Sequence, residues 1–385
     1  MRITLLTALL AVPAAAQDFI QYKFDSTCTG EIINYAAGPA AFAGNGALQS
    51  NAGSHFTAGV YGSALAGGDE TTATYNRVAT GWTPQNSPLN GDLTLAFHVR
   101  QVGALGAGAH YLFGASTGFR MFAGGAAANG LLVRNMLAFG GTPNLNDCQL
   151  PESAFDFVSA AAAGWVHLAL VVDGSSGTYT WYANGAPVHQ RTGVGPGLVN
   201  SAGQLQLGYY AATSAVSSYA FDEFLMARRA YSPTEVLLLS QTAHPGEGDY
   251  RSGITSQCGA GNVTVGSNGT LPQLGNNGYA IRIQVTQSSF YMLLPGVSRC
   301  TYGGVLPLPF DATPVAPELA GCMVVSDAVT LIGGIATAGV PLDIPLPMPT
   351  SSAYFGAPVF FQALALDLGN LAGSMSDGFA VGVGQ

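Results

Sequence analysis

Residues 165–185, WVHLALVVDGSSGTYTWYANG, decide the fold. The nearly continuous apolar run 165–172 is typical of a central strand that is buried on both faces. DGSSG at 173–177 has the composition of a turn, and residues 178–182 predict a second strand. Asn184-Gly185 can supply the two positive φ angles of a tight type I′ hairpin. The stretch therefore predicts antiparallel strands that are joined by turns rather than by helices.

The residues on both sides of this stretch show the same pattern of short apolar runs separated by turn residues. Residues 92–100 alternate between apolar and polar, which places Leu93, Leu95, Phe97 and Val99 on one face of a strand. Further strands are predicted at 204–210 and 219–226. One helix is well signalled, because Ser232 can cap it, Pro233 suits its first turn and Glu235 can reach back to the Ser232 amide. The fold class that follows is all-β, an antiparallel jelly-roll β-sandwich with a second, smaller β-sandwich-like domain.

The composition excludes several classes of protein. Charged residues make up 9% of the chain, the net charge is −9 and Lys23 is the one lysine, whereas soluble proteins average about 25% charged residues. A nucleic-acid binder needs a clustered basic footprint, which this sequence does not show. Apolar residues are spread along the chain, which argues against intrinsic disorder.

The chain divides into four segments by composition. Residues 1–16 have a short positive start, an apolar stretch and small residues at the end, as in a secretory signal peptide. We predict one β domain over residues 17–242, a polar linker over 243–256, and a second β domain over 257–385. No later apolar run is long and uninterrupted enough to predict a membrane span. The mature protein is therefore expected to be secreted, extracellular or at the cell surface.

The five cysteines agree with export, since they contain no Cys-x-x-Cys pair and have no nearby histidine. In an oxidising compartment such cysteines are expected to form structural disulfide bonds. We predict the disulfide bonds Cys28–Cys148 and Cys300–Cys322, which leave Cys258 without a partner. Because the count is odd, Cys258 could equally take one of the other partners.

Four short motifs, in this order, resemble the laminin G-like jelly roll of the concanavalin A-like lectin and glucanase superfamily. They are YKFD at 22–25, WVHLALVVD at 165–173, YANG at 182–185, and FDEF at 221–224 followed by SPTEV at 232–236. The resemblance covers roughly residues 18–242 and departs from the pattern at residues 144–157. It implies that the opening strand pairs beside the closing one. The C-terminal half is more loosely similar to a β-module of secreted bacterial proteins, on FFQA at 360–363 and SDG at 376–378.

The superfamily contains both glycan-binding modules and hydrolases, so the acidic residues decide between them. Jelly-roll glucanases are expected to carry acids at alternate positions of one strand, which place both carboxyls on one face. The only such pair, Glu247 and Asp249, falls in the predicted linker, and Asp222 and Glu223 are adjacent. His98 and His167 lie inside strands and are interpreted as packed structural histidines. We therefore predict no catalytic residues and a protein that is not an enzyme.

The resemblance implies two kinds of site. Laminin G-like domains often hold calcium near the paired terminal strands, where Asp25 matches the opening position and Asp222 the closing one. Glycans would contact aromatic rings, whose faces stack on sugar C–H groups while their polar atoms bind hydroxyls. The candidate rings are Trp82, Tyr209, Tyr210 and Tyr219.

These observations favour a secreted, noncatalytic protein that binds a glycan or an extracellular surface partner, with calcium as the one expected cofactor. Two alternatives stay open: a polysaccharide-degrading enzyme of the same superfamily and a structural or adhesive extracellular protein. An aromatic-lined polar surface would favour glycan binding, and a bare apolar groove the structural protein.

Overall fold

The computed structural model describes residues 18–385 except 26–27, 29, 37–43, 87–88, 117, 135–146, 196, 200, 251–257, 259–262 and 315. The predicted signal segment, 1–16, lies outside the described residues. The described chain is nearly all β and its sheets are antiparallel, which confirms the predicted fold class. In this part of the chain no helix is both long and apolar enough to cross a bilayer.

The first half contains two eight-stranded sheets. The helix-covered sheet has the order β15-β14-β13-β8-β20-β5-β4, and β1 pairs with β20. Its strands are β1 (Asp18–Tyr22), β4 (Phe56–Ala58), β5 (Ser63–Leu65), β8 (Leu93–Gln101), β13 (Val166–Asp173), β14 (Thr178–Ala183), β15 (Ala186–Thr192) and β20 (Tyr219–Ala227).

The second sheet of this half, the open sheet, has the order β12-β11-β10-β9-β17-β6-β3-β2. Its strands are β2 (Glu31–Ile32), β3 (Gly46–Ser50), β6 (Asn76–Ala79), β9 (Ala109–Gly114), β10 (Arg120–Gly124), β11 (Leu131–Arg134), β12 (Cys148–Leu150) and β17 (Gln206–Leu207). Two short pairs flank the sheets: β7 (Leu89–Gly91) with β16 (Gly197–Val199), and β18 (Tyr209–Tyr210) with β19 (Ala215–Val216).

The inner faces of the two sheets enclose the main core. The alternating residues of β8 lie in it as predicted: Leu93, Leu95, Phe97 and Val99 are at most 1% exposed. The hairpin after β14 has the expected positive φ angles, 49° at Asn184 and 80° at Gly185. The opening strand β1 pairs beside the closing strand β20, with Tyr22 opposite Phe224, as the resemblance implied.

Two helices accompany these sheets. The predicted helix is α2 (Pro233–Gln241), and Ser232 and Glu235 form the reciprocal capping box at its start. Its buried Val236 and Leu239 pack on the outer face of the helix-covered sheet, against Ala96 and Ala169. The stretch that the sequence left unplaced contains β12 and leads into α1 (Phe157–Ala163), which Asp156 caps.

The second half forms a six-stranded and a three-stranded sheet that share a core of their own. The six-stranded sheet contains β21 (Gly246–Tyr250), β24 (Ser289–Gly296), β29 (Ile332–Ala336), β31 (Pro358–Asp367), β32 (Gly373–Met375) and β33 (Gly378–Gly382). The three-stranded sheet contains β22 (Val263–Ser267), β23 (Ala280–Val285) and β30 (Leu342–Pro345). Two short pairs complete this half: β25 (Thr301–Tyr302) with β26 (Leu306–Pro307), and β27 (Phe310–Asp311) with β28 (Met323–Val324).

Part of the predicted linker belongs to this second sheet system. Residues 243–256 include β21, which is paired along its whole length with β33. The backbone of Glu247 also donates a hydrogen bond to the carbonyl of Tyr35 in the first half, at 3.2 Å. The polar, Gly-rich sequence here therefore forms an edge strand, because pairing with β33 supplies the order that its local composition does not.

The predicted disulfide pairing is wrong. Cys28 pairs with Cys300, and Cys322 pairs with Cys258, while Cys148 is buried and unpaired. Cys148 lies in β12 with its side chain in the core between the two sheets of the first half, away from Cys28. The Cys28–Cys300 bridge joins the two halves, a proximity that spacing along the chain does not encode because it depends on tertiary packing.

Candidate functional site

The outer face of the open sheet is built by strand alternation. In β10, Met121 and Ala123 point into the core, so Arg120 and Phe122 point outward. In β11, Arg134 lies on the same outer side and is directly opposite Arg120. No α-helix of the described chain packs on this face as α2 packs on the other sheet, but the short 3₁₀ helix Gly125–Ala127 covers part of it, with Ala127 against Phe122 and Leu132.

Aromatic rings form the middle of this outer face. Tyr111 of β9 stacks on Tyr210 with ring centroids 4.7 Å apart and planes at 24°, and Phe122 lies 5.4 Å from Tyr111. Tyr210 can lie across β9 because residue 114 is glycine; a Cβ on Gly114 would overlap the Tyr210 ring. The stack therefore depends on Gly114, which has no side chain to occupy the space of the Tyr210 ring.

A second aromatic group lies toward β3. The guanidinium of Arg77, on β6, is 4.3 Å from the ring centroid of Tyr209 and 5.0 Å from that of Tyr75. Its Nε also donates a hydrogen bond to Gln49 Oε1 at 2.8 Å. Cation–π contacts and this hydrogen bond hold Arg77 with its charge at the surface.

Two of the four predicted ligand-binding rings lie on this outer face. Tyr209 is half-buried there, and Tyr210 exposes 5% of its surface. Trp82 and Tyr219 are 0% exposed. Trp82 packs edge-on against Phe19 at 5.1 Å, so neither buried ring offers a face to a ligand.

Several residues of this face were not predicted from the sequence: Tyr75, Arg77, Tyr111, Arg120, Phe122 and Arg134. The alternation in RMFAG at 120–124 would have placed Arg120 and Phe122 on one side of a strand. It could not show that this side faces outward beside Tyr210.

We define the open face as the outer surface formed by the half-buried or outward-pointing side chains of the open sheet and of Tyr209–Tyr210. Its members are Gln49, Tyr75, Arg77, Tyr111, Arg120, Phe122, Arg134, Gln206, Tyr209 and Tyr210. Rings with polar handles, guanidinium groups and amides on a surface of this kind can stack on sugar rings and hydrogen-bond their hydroxyls.

A second polar cluster lies where β1 ends and β20 passes through a bulge. The register shifts between Asp222 and Leu225, and Glu223 has a left-handed φ of 47°. Asp222 Oδ2 accepts hydrogen bonds from the amides of Val60 (2.7 Å) and Tyr61 (3.1 Å). Asp25 Oδ1 accepts one from Ser63 at 3.2 Å, so the structure brings the two predicted calcium ligands to the same loop.

The charges of this cluster are only partly balanced. The Lys23 ammonium is fully buried and lies 3.0 Å from both carboxylate oxygens of Glu223. Burial and the neighbouring Glu223 raise the pKa of Asp222 to about 8. Burial, then the charge of Glu223, raises the pKa of Asp25 well above its usual value. Both carboxyls therefore take up protons more readily than exposed ones, and a cation bound beside them would favour their charged forms.

These residues fit a cation in two respects. Asp25 Oδ2 is buried without a hydrogen-bond partner among the described residues. Gly59 and Gly62 also leave room for the two carboxylates, since a Cβ on either would collide with Asp222 or Asp25. In the described ranges no three His, Cys, Asp or Glu side chains converge on one point as a metal site. Calcium takes about six to eight oxygen ligands, so backbone carbonyls and water would have to supply most of them.

The paired histidines are packed in the structure. His98 and His167 are each 3% exposed, with ring centroids 4.8 Å apart, and their Nδ1 atoms have no partner in the described chain. Burial lowers the pKa of His98 to about 4 and that of His167 well below its usual value. Both rings are therefore neutral at pH 7.

The acidic pair Glu247 and Asp249 lies on strand β21, and not in an irregular linker. Alternate positions place both side chains on one face, and burial raises both pKa values. Glu247 Oε2 accepts a hydrogen bond from the Ser267 hydroxyl at 2.7 Å, and the neighbouring Tyr279 side chain partly offsets the rise in the pKa of Glu247. Two acidic residues at alternate positions of one strand are the arrangement expected of a jelly-roll glucanase pair.

Comparison with known proteins finds a similarity within the first half. A family model described as the concanavalin A-like lectin/glucanases superfamily, Laminin_G_3, matches residues 71–237. No curated protein matches the chain.

Several solved structures are similar to the chain. Domain 4 of AbnA, a GH43 extracellular arabinanase from Geobacillus stearothermophilus in complex with arabinotriose, is 18% identical, with 59% of this chain and 99% of that one covered and a TM-score of 0.39. The binding domain of Paraclostridial Mosquitocidal Protein 1 is 15% identical, with 71% of this chain and 65% of that one covered and a TM-score of 0.40. The Botulinum Neurotoxin serotype G binding domain is 10% identical, with coverages of 92% and 74% and a TM-score of 0.41.

Proposed function

We propose that the protein is a secreted, noncatalytic binding protein that recognises a glycan on the open face. The observation that carries this proposal is the continuous surface on which Tyr111 and Tyr210 stack while Tyr75 and Tyr209 flank Arg77. Ring faces favour the C–H faces of sugars, and the adjoining guanidinium and amide groups favour their hydroxyls. A purely structural extracellular protein would have no need of this side-chain set.

Binding of oligosaccharides to the full chain, measured by glycan array and then by calorimetry, tests the proposal. Tyr209→Ala removes one exposed ring and should weaken binding about tenfold, the loss expected for one aromatic stacking contact of about 1.5 kcal/mol. Tyr354→Ala is the matched control, because Tyr354 is 51% exposed but lies in the second half. Equal losses in both variants, or no glycan binding by the unmodified protein, would rule out the open face as the site.

We propose calcium as the cofactor of the second cluster, held by Asp25 and Asp222. Bound there, the ion would neutralise the two buried carboxylates and tie the ends of β1 and β20 to the loop that contains Val60 and Ser63. This role is structural, since the cluster is separate from the open face.

Thermal unfolding with calcium and with a chelator tests this cofactor. At calcium concentrations about 100-fold above the dissociation constant, binding should stabilise the native state by about 3 kcal/mol. Asp222→Asn should abolish the difference between the two conditions, and Asp343→Asn, which changes an exposed carboxyl of the second half, should leave it intact. The same melting temperature for the unmodified protein in calcium and in chelator would count against calcium.

A polysaccharide hydrolase is the second candidate, supported by Glu247 and Asp249 on one face of β21. Retaining glycosidases need two carboxyls about 5–5.5 Å apart, one of them with a raised pKa. Release of reducing ends from the glycans that bind, with its loss in Glu247→Gln, would establish this activity. Binding without any release supports the noncatalytic proposal.

A further inference from the structure

We propose that the open face recognises an anionic sugar, one that bears a carboxylate or sulfate group, and that Arg120 binds the anionic group. This inference rests on the proposed glycan binding and adds the chemical class of the ligand.

The first observation is the concentration of positive charge on this face. The chain has 12 Lys and Arg residues against 21 Asp and Glu residues. Three of those cations, Arg77, Arg120 and Arg134, nevertheless point outward from the open sheet. A protein with so few cations has no general solubility reason to gather them on one face, so their placement indicates a ligand of opposite charge.

The second observation is that two of these arginines are direct neighbours. Arg120 and Arg134 lie opposite each other in β10 and β11, and like charges in this position destabilise a sheet. Asp147 compensates only Arg134, with its Oδ2 3.3 Å from Arg134 Nε. Arg120 keeps its charge unmatched, because no carboxylate contacts it within the described residues.

The contacts of Arg120 leave part of its guanidinium available. Its Nη1 donates to the carbonyl of Gly118 at 2.7 Å, and its Nε has no hydrogen-bond partner in the described chain. The guanidinium carbon lies 5.4 Å from the Tyr210 ring centroid. An anion bound at Arg120 would therefore lie beside Tyr210 and its stacking partner Tyr111.

The row of residues across the sheet extends this site. Gln206, Gly114, Arg120 and Arg134 are successive partners on β17, β9, β10 and β11. Gln206 is half-buried, and its buried Oε1 has no hydrogen-bond partner in the described part of the chain, so this end of the row holds an unsatisfied polar group. Gly114 between them adds no side chain, and the Tyr210 ring fills that space. The row thus places the Gln206 amide, the Tyr210 ring and the Arg120 guanidinium side by side across the sheet.

The guanidinium selects for the shape of the anion as well as for its charge. It is planar and presents parallel N–H donors that match two oxygens of a carboxylate or a sulfate. A lysine ammonium provides the charge without this fork, and the open face contains no lysine, since Lys23 is buried elsewhere. Both anions share the chemistry that Arg120 can recognise, and only the probe can distinguish them.

The test compares charged and neutral probes of the same sugar on the full chain by calorimetry. Oligogalacturonate is compared with its methyl ester, and sulfated carrageenan oligosaccharides with the same oligosaccharides after desulfation. At least one charged probe should bind about tenfold or more tightly than its neutral counterpart, as expected for hydrogen bonds to a charged group. Whichever charged probe shows the preference identifies the carboxylate or the sulfate as the anion.

Variants locate the preference. Arg120→Gln should remove the preference for the charged probe and leave binding of the neutral one, and Arg120→Lys should restore it only in part. Arg282→Gln is the matched control, because Arg282 is a surface arginine of the second half that pairs with Asp343. Equal loss in Arg120→Gln and Arg282→Gln would mean an unspecific charge effect and would overturn the proposal.

The outcomes separate this inference from the proposed function. If charged and neutral probes bind the unmodified protein equally and Tyr209→Ala weakens both, glycan binding stands and the anionic specificity is overturned. This comparison needs no variant at Arg120, so it holds even if those variants fold poorly. If neither class of probe binds, both proposals fall.

Discussion

The two sheets of the first half have the same number of strands and share one core, but their outer faces differ completely. On the helix-covered sheet, Ala96 and Ala169 are small and buried, and Val236 and Leu239 of α2 pack on them. On the open sheet the corresponding surface carries arginines and tyrosines that remain half-buried. Small side chains allow a helix to approach the first sheet closely, whereas charged groups on the second would lose their hydration under a helix.

The difference shows which face is free to bind. A sheet face that has its own helix gains stability from burying apolar surface and has no room for a ligand. The open face keeps half-buried arginines and tyrosines at its surface, which is why the proposed glycan site is placed there. Variants of the covered face test whether its stability is independent of the glycan affinity proposed for the open face.

The largest effect is expected from Leu239→Ala in α2. Leu239 is 9% exposed and packs on the helix-covered sheet, so its truncation should lower the free energy of unfolding by about 2–3 kcal/mol. Denaturant unfolding measures this change, and Leu238→Ala, in the same helix but at a 40% exposed position, should cost much less. Glycan affinity of the folded Leu239→Ala protein should be unchanged. A loss of affinity there would show that the two faces are coupled.

An intermediate effect is expected from acidification at the His98–His167 pair. The pKa of His98 is about 4 in the native state and about 6.5 when unfolded, so the unfolded state binds the extra proton between these values. Stability therefore falls as pH falls, by about 2 kcal/mol for His98 between pH 7 and pH 5.

Unfolding at both pH values, compared between the unmodified protein and His98→Gln, measures this contribution. The comparison removes the opposite effect of the buried carboxyls Asp25 and Asp222, which is common to both proteins. His55→Gln serves as the control, because His55 lies in a half-buried position outside the pair. An unchanged pH dependence in His98→Gln would refute the buried neutral histidine as its source.

The smallest effect is expected from Ser232→Ala at the start of α2. The Ser232 side chain accepts a hydrogen bond from the Glu235 amide in the capping box, so its loss should lower the free energy of unfolding by about 1 kcal/mol. Ser240→Ala near the end of the same helix removes a hydroxyl without removing a cap and should cost less. Differential scanning calorimetry measures the melting temperature of both variants. Equal melting temperatures would mean that the capping box adds nothing to the docking of α2.

Local patterns predicted the elements of the first half well. The alternation at 92–100, the Asn184-Gly185 turn and the Ser232 cap each depend on a few neighbouring residues, and all three are present as expected. The structure places the candidate rings Trp82 and Tyr219 in the core, since aromatic rings occur both in cores and on surfaces and only packing distinguishes the two uses.

The open face was only half anticipated. The sequence indicates Tyr209 and Tyr210 as candidate rings, but their partners Tyr111 and Arg77 come from strands far away in the chain. Gly114 shows why the sequence could not reveal this arrangement: its role is to make room for a ring about 100 residues later.

The sequence by itself determined the strand periodicity, the turns, the capped helix and the scarcity of charge, because each of these arises from residues close together in the chain. Tertiary structure alone decided that Cys28 meets Cys300, that residues 246–250 become an edge strand, and that Arg120 lies opposite Arg134 beside Tyr210. These relations join residues through space across separate strands, and the packing of two sheets fixes them only when the whole chain has folded.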